Sequence, residues 1–215
     1  EITIPLDETK SAVENAKKYF DKYAKLKRTF EALNIQIAET KEEIEHLESI
    51  SNSLDIARQE SDLVAIKREL SECGYIKKHH EKNKGSKNSE KSKPLHYISS
   101  DGFDMYVGKN NYQNDELTFK IATGNDWWFH AKASAGSHVI VKTEGKELPD
   151  RTFEEAARLA AHYSKACEQG KAEIDYIQKK HVKKPNGSKP GFVVYYTNYS
   201  MTISTDITGI KEVTE

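Results

Sequence analysis

Apolar side chains recur along residues 1–50 at the three- and four-residue spacing of one helix face. The positions on this stripe are Ala16, Phe20, Tyr23, Phe30, Leu33, Ile37, Ile44 and Leu47. No glycine or proline lies between Asp7 and Ser49, and the Asp7 carboxylate can cap the first free amides. The pattern predicts a helix of about 40 residues. Such a helix cannot bury its own stripe, so we expect it to self-associate or to pair with a helix of a longer protein.

A shorter stripe follows a predicted break at residues 51–53. It consists of Leu63, Ile66, Leu70 and Cys73, and Gly74 is a typical helix stop. This second helix is too short to cover the first. We therefore predict a coiled-coil region over residues 1–76.

Residues 77–93 read KKHHEKNKGSKNSEKSK and contain no apolar side chain. Residues 73–94 hold 7 basic and 2 acidic residues. This composition predicts a Lys-rich linker over residues 77–94, disordered or loosely ordered, because such a segment cannot bury a core. Two interpretations stay open for it, a solvated connection or an arm that contacts phosphates.

Residues 95–215 combine short alternating runs with turn signals, which is typical of antiparallel hairpins. We predict hairpins from 97–100 with 103–107, from 126–132 with 138–143, and from 192–197 with 201–205. The first turns at Asp101-Gly102, a strong hairpin dipeptide. A further strand is predicted over residues 172–177.

Two helices complete this region. A short one is predicted over residues 113–122, and the main one runs from a Thr152 cap to about Cys167 with an alanine-rich face. One main helix among six or seven strands favours an α+β fold over a doubly wound sheet. We therefore predict a long helical coiled-coil segment followed by a small mixed domain of antiparallel hairpins.

Composition narrows the class of protein. Charged residues make up 31% and hydrophobic residues 36% of the chain, which suits long solvated helices. The formal charge of −1 means that any nucleic-acid surface is local. No apolar run reaches the roughly 20 residues of a membrane span, and no signal peptide is recognisable. With two cysteines, Cys73 and Cys167, a reduced cytoplasmic protein is the simplest expectation.

The run Gly108-Lys109-Asn110-Asn111 offers backbone N–H groups, amides and one cation. These groups suit a phosphate or a base edge, and the alternative is a loop that caps a helix. A second basic run spans residues 178–191, with five lysines, one histidine and no acid. It is either a phosphate clamp or a solvated loop.

Adjacent aromatic residues stand in the run 125–130, where a strand would alternate their faces. Trp128, His130 and Lys132 would share one face, and a face of this kind could stack an unpaired base. The alternative is that both tryptophans are buried. His138 would face His130 across the hairpin, and Asp126 could complete a metal or hydrolase site. No local His-x-His or Cys/His spacing supports a metal site, so we predict no metal, no cofactor and no catalytic residue.

The stretch DGFDMYVGKNNYQNDELTFKIATGNDWWFHAKASAGSHVIV, followed by EEAARLAAHYSKA and DYIQKKHVKKPNGSKPGFVVYY, resembles the NFACT-R domain. The segment from ITIPLDETKSAVENAKKYFDKYAKLKR to SECGYIKK resembles the middle region of the RqcH and NEMF family. The resemblance covers essentially the whole chain and implies the C-terminal part of such a protein, with residues 95–215 as an RNA-binding domain.

The resemblance implies a ribosome quality-control factor rather than an enzyme. Members of that family bind a stalled large ribosomal subunit with peptidyl-tRNA and recruit tRNA-Ala for untemplated tailing of the nascent chain. The implied partners are the large subunit, tRNA and the upstream domains of the same protein, with no membrane. The family's other name, fibronectin-binding protein A-like, leaves a surface adhesin as an alternative, and a metal-dependent hydrolase or nuclease is another.

Twelve residues are the predicted RNA contacts, because they supply cations for phosphates or rings and amides for bases. They are Lys109, Asn110, Asn111, Trp128, His130, Lys132, His138, Lys179, Lys180, His181, Lys183 and Lys184.

Overall fold

A computed structural model describes residues 2–77 and 92–214. Most of the predicted linker, residues 78–91, lies outside the described residues. The chain divides into two compact units, Glu1–Glu45 and His46–Glu215. The first helix, α1 (Ala12–Ile56), has residues in both units.

The start of α1 is fixed by a capping box, not by Asp7 as predicted. The Ser11 N–H donates to Glu14 Oε2 at 2.8 Å, and the Glu14 N–H donates to Ser11 Oγ at 3.3 Å. Asp7 accepts from Thr9 in the turn before the helix. Glu14 reaches back to Ser11, and this reciprocal pair satisfies amides that a single aspartate would leave free.

The predicted apolar stripe of the first unit is exposed. The exposed large side chains of the stripe are Phe20, Tyr23, Phe30, Leu33, Ile37 and Ile44. In the described part of the chain nothing covers the stripe, which agrees with the expectation that it needs a partner helix.

The predicted break at residues 51–53 is wrong, because α1 continues through it to Ile56. Asn52 and Ser53 are buried in the second unit. The Ser53 hydroxyl donates to the Ser49 carbonyl, and Asn52 Nδ2 donates to the Tyr163 carbonyl at 3.2 Å. These polar side chains are therefore satisfied inside the helix and across to its neighbour. Helix α2 (Glu60–Glu72) follows, and Gly74 after it has a φ of 81°.

Seven strands form one sheet in the order β6-β5-β3-β4-β2-β1-β7. They are β1 (Leu95–Ile98), β2 (Asp104–Val107), β3 (Trp127–Ala131), β4 (Val139–Val141), β5 (Lys171–Gln178), β6 (Tyr199–Ser204) and β7 (Lys211–Glu212). Every neighbouring pair is antiparallel. The first two predicted hairpins are confirmed.

The third predicted hairpin is wrong. β6 pairs with β5, from Lys171 opposite Ser204 to Tyr176 opposite Tyr199. Residues 192–197 form no strand, and Val194 makes a single bridge to Lys183. Val193 and Tyr195 instead pack against a core on the sheet face, so tertiary burial outweighs their strand propensity. The pairing of β7 with β1 was not predicted, because two residues carry no alternation signal.

The helices of the second unit differ from prediction mainly at their ends. Helix α3 (Asn111–Glu116) continues as a π-helical turn over Leu117–Ile121. Helix α4 (Asp150–His162) starts after Pro149. Thr152 is not its cap, because its hydroxyl donates to Asp101 at 2.7 Å and lies 3.1 Å from the Ser99 hydroxyl. Short 3-10 turns cover Lys165–Gln169 and Lys179–His181.

Apolar side chains are buried on both faces of the sheet. On one face lies α4, whose alanines 156, 157, 160 and 161 are fully buried against the strands. The opposite face buries Leu117, Trp128, Ile140 and Ile177 under the π-helical turn and residues 182–195. The predicted α+β fold is confirmed, with the sheet as a central layer.

Candidate nucleic-acid interface

Residues 108–111 are buried, so the prediction that they are open to a phosphate is wrong. Asn110 caps α3 by accepting from the Gln113 N–H at 3.0 Å. A Cβ at Gly108 would lie 2.1 Å from Asn114 Oδ1, so only glycine fits there. The alternative interpretation, a loop that caps a helix, is the one the structure bears out.

Lys109 makes a buried ion pair instead of facing solvent. Its Nζ lies 2.6 Å from Asp62 Oδ1, and the two side chains are 6% and 1% exposed. Asp62 also accepts from the Arg58 and Gln59 N–H groups before α2. Burial alone would raise the pKa of Asp62, but these donors, Lys109 foremost, hold it below its ordinary value.

Asn111 points at the two helices rather than at solvent. Its Nδ2 donates to Ser49 Oγ and to Glu69 Oε1, both at 2.8 Å. His46 Nε2 lies 3.0 Å from the same Glu69 oxygen. We call these contacts between helical residues 46–73 and residues 108–113 the helix junction. The lysine and asparagines of the run serve this junction.

Strand β3 places its two tryptophans on opposite faces, as alternation predicts, but it buries the one that was predicted to be open. Trp128 is fully buried, whereas Trp127 is half-buried on the opposite face. The predicted exposed row of an aromatic, a histidine and a lysine therefore lacks its aromatic member. Lys132 is exposed and pairs with Glu173 at 2.6 Å.

His130 and His138 do come together, with ring centroids 5.4 Å apart. His138 Nδ1 lies 2.8 Å from Thr118 Oγ1 in the interior. Burial lowers the pKa of His130 to about 4, and burial together with His130 places the pKa of His138 well below its ordinary value. Both rings are therefore neutral at pH 7, and they add no positive charge to the surface.

Asp126 does not complete a metal or hydrolase site with these rings. Its carboxylate accepts from the Thr123 and Thr143 N–H groups at 2.7 and 2.9 Å and pairs with Lys142. Burial would raise the pKa of Asp126, yet Lys142 and the two amides lower it below the ordinary value. Among the described residues, no group of three histidines, cysteines or acids is placed to hold a metal ion.

The second basic run contributes open basic side chains. Lys180, His181 and Lys183 are exposed, and within residues 2–77 and 92–214 they form no ion pair. Lys179 is half-buried, with Nζ 5.7 Å from the Phe119 ring centre. Lys184 is paired with Asp115. We call Lys179, Lys180, His181 and Lys183 the basic segment.

Backbone hydrogen bonds fix the basic segment at one end of the sheet. The Lys179 N–H donates to the Asp126 carbonyl at 2.8 Å, and the Lys180 N–H donates to the Gly124 carbonyl at 3.1 Å. Lys183 bridges Val194 in both directions at 2.9 Å. These bonds place the cations beside the start of β3 and the end of β5, on a built turn rather than on a free loop.

Sequence reasoning missed an aromatic cluster at the same sheet end. Trp127, Tyr176 and Tyr199 lie on adjacent strands, and their ring centroids are 5.5 to 6.4 Å apart. We call these three side chains the aromatic ladder. Strand alternation places Trp127 and Trp128 on opposite faces of the sheet. Only the strand order brings Tyr199 beside Trp127.

No helix in the described part of the chain combines the length and the apolar character that a membrane crossing requires. The fold and surface together define a helical segment attached to an antiparallel α+β domain with cations and aromatic rings at one sheet end.

Two family models match nearly the whole chain. The model of the NFACT N-terminal and middle domains matches residues 1–89, and that of the NFACT protein RNA binding domain matches residues 93–196. The chain belongs to the NFACT family.

Individual relatives agree with this assignment. The chain is 42% identical over 196 residues to the Rqc2 homolog RqcH of Streptococcus suis, covering 91% of this chain and 34% of that protein. It is 39% identical over 207 residues to the Rqc2 homolog RqcH of Bacillus subtilis, covering 95% and 35%. The chain thus spans about a third of the length of these curated relatives.

A solved structure has the same fold. It is the C-terminal part of the fibronectin/fibrinogen-binding protein from Streptococcus suis, with a TM-score of 0.78 and 39% identity. The match covers 92% of this chain and 77% of that one. Binding to fibronectin or fibrinogen is what the name of that protein states.

Proposed function

We propose that this chain is the RNA-binding part of a ribosome quality-control factor. The observation that carries the proposal is the basic segment, because Lys180 and Lys183 are exposed and their backbone N–H groups are hydrogen-bonded. Exposed cations on a fixed turn attract a polyphosphate backbone without having to break an internal ion pair first. The match to an RNA-binding family domain over residues 93–196 supports the same conclusion.

The RNA we propose is tRNA, ribosomal RNA of the large subunit, or both. The relatives are about three times as long as this chain. We propose that the whole protein binds stalled large subunits and recruits tRNA-Ala for C-terminal tailing in the cytoplasm. The exposed stripe on α1 supports a partner helix in the upstream domains.

We propose a binding role rather than an enzymatic one. The residues of the hydrolase alternative are already engaged, because His138 faces Thr118 and the Asp126 carboxylate is held by amides and Lys142. A general base needs an open path to its substrate, and these buried groups offer none.

The test is fluorescence anisotropy with labelled tRNA across a salt series. The variant K180A/K183A removes two exposed charges from the basic segment. The control K171A/K211A removes two exposed charges at the other end of β5 and on β7. We expect only the first variant to lose affinity, with the slope of log K against log salt falling by about 0.7 to 0.9 per lysine.

Two results would count against this function. The wild-type chain could fail to bind tRNA and large-subunit RNA at low salt. Alternatively, both double variants could weaken binding equally, which would indicate only a general charge effect.

A further inference from the structure

The aromatic ladder ends in a ring that is open to solvent. Tyr199 is 60% exposed at the start of the edge strand β6, and it stacks on Tyr176 with an interplanar angle of 28°. Phe153 covers Trp127 edge-on at 4.7 Å on the α4 side. The ladder is therefore closed at Phe153 and ends in an exposed ring face at Tyr199.

A second exposed aromatic ring precedes the ladder by three residues. Tyr196 is 72% exposed. Between it and Tyr199, Thr197 has a φ of 58°, a left-handed conformation that is rare for a β-branched residue. The backbone in this turn is thus held in an uncommon conformation between two solvent-facing tyrosines.

The basic segment lies at the same sheet end as these rings. Trp127 is opposite Gln178, the residue before Lys179, and Lys183 bridges Val194, two residues before Tyr196. The rings and the unpaired lysines thus lie at the same end of the sheet. Single-stranded nucleic acids are bound by this combination, in which bases stack on rings and phosphates meet cations.

We propose that unpaired RNA bases stack on Tyr199 at the open end of the aromatic ladder, while Lys180 and Lys183 contact the adjoining phosphates. This proposal rests on the proposed RNA-binding function and deepens it, because it names single-stranded RNA as the preferred form. Helical RNA presents its phosphates but not the faces of its bases, so it would use the lysines alone.

The experiment measures anisotropy of a 5′-labelled single-stranded RNA of 12 mixed nucleotides and of the same sequence as a blunt duplex. Tyr199→Leu removes the ring and keeps an apolar side chain beside Tyr176. Tyr199→Phe, the matched control, keeps the ring and removes the hydroxyl. Thermal unfolding of each variant shows that the fold is retained, and Tyr196→Leu repeats the test at a ring outside the ladder.

We expect Tyr199→Leu to weaken single-strand binding about 5- to 100-fold and to leave duplex binding unchanged. Tyr199→Phe should bind like the wild type. The salt dependence should be unchanged in Tyr199→Leu, because no phosphate contact is lost. Quenching of Trp127 fluorescence by bound RNA, absent in a Trp127→Phe variant, would support the same site.

Three outcomes would overturn the proposal, and they differ in what they say about the proposed function. If Tyr199→Leu and Tyr196→Leu bind the single strand like the wild type while K180A/K183A does not, RNA binding stands and the stacking site is wrong. The same holds if the duplex binds as tightly as the single strand. If the wild type binds neither RNA, both proposals fail together.

Discussion

Lys109 illustrates how burial decides what a residue does. In the sequence it follows a glycine and precedes two asparagines, which is the chemistry of a phosphate site. In the fold its ammonium group is 2.6 Å from Asp62 Oδ1 and shielded from water. A buried charge is tolerated only when paired, so this lysine and its aspartate depend on each other.

We predict that Lys109→Met destabilises the chain by about 3–5 kcal/mol, because it leaves the Asp62 carboxylate buried without its cation. The double variant K109M/D62L should recover much of that loss, since it removes both charges. Urea denaturation followed by circular dichroism measures this. RNA affinity of the folded Lys109→Met protein should match the wild type. A stable variant that loses RNA binding would instead make Lys109 an RNA contact.

At the scale of elements, the β3–β4 hairpin brings together two histidine rings that are eight residues apart in sequence. β3 supplies His130 and the residue before β4 supplies His138, and the hairpin brings the rings to 5.4 Å. Burial lowers both pKa values, with Asp175 acting against the shift at His130 and Lys184 adding to it at His138. Both histidine rings therefore stay neutral in the folded chain at pH values where the unfolded chain binds protons, which is below about pH 6.5.

This difference predicts a stability that depends on pH. Because both folded pKa values are depressed, the two neutral rings cost no stability above pH 6.5. As the pH falls toward about 4, the pKa of His130, the free energy of unfolding decreases by up to about 1.4 kcal/mol per pH unit for each histidine. Urea midpoints between pH 7.5 and 4 measure this loss.

The control for the pH prediction is H130N/H138Q, whose stability should be lower at pH 7 but flatter over the same window. Asp62 and Asp126 affect the free energy of unfolding only at lower pH, because their folded pKa values lie below the ordinary aspartate value. A wild-type profile that stays flat down to pH 4.5 would contradict the assignment of both histidine rings as neutral at pH 7.

At the scale of the whole molecule, the folding unit and the family domains have different limits. The family models meet between residues 89 and 93, whereas the second compact unit begins at His46. The helix junction explains the difference, since Asn111 donates to Ser49 and Glu69, and Lys109 pairs with Asp62. Helical residues 46–73 are thus part of the structure that carries the basic segment.

We predict that a chain starting at residue 46 folds cooperatively, and that a chain starting at residue 93 does not. The shorter chain would lose Ile56 from the hydrophobic core and the Asn111 hydrogen bonds of the helix junction, each such bond contributing about 0.5–1.5 kcal/mol net. Thermal unfolding and amide NMR dispersion of the two chains measure this. If the shorter chain unfolds as cooperatively as the longer one, the helix junction is only a contact between independent parts.

Local pattern was sufficient for the elements with strong periodicity. The apolar stripe at three- and four-residue spacing predicted α1, and alternation with turn dipeptides predicted the hairpins β1–β2 and β3–β4. It also located the cations of the basic segment, since a run of lysines is visible without any fold. Pattern failed for residues 192–197, whose apolar side chains pack on the sheet face instead of forming a strand.

The sequence by itself determined the α+β class, the long helix with an unburied stripe and the family resemblance, because each depends on residues close together in the chain. The tertiary structure alone decided which polar groups are available to a ligand. It paired Lys109 with Asp62, buried Trp128 and His138, and placed Tyr199 beside Trp127. Exposure and ion pairing depend on residues far apart in sequence, and local spacing carries no information about them.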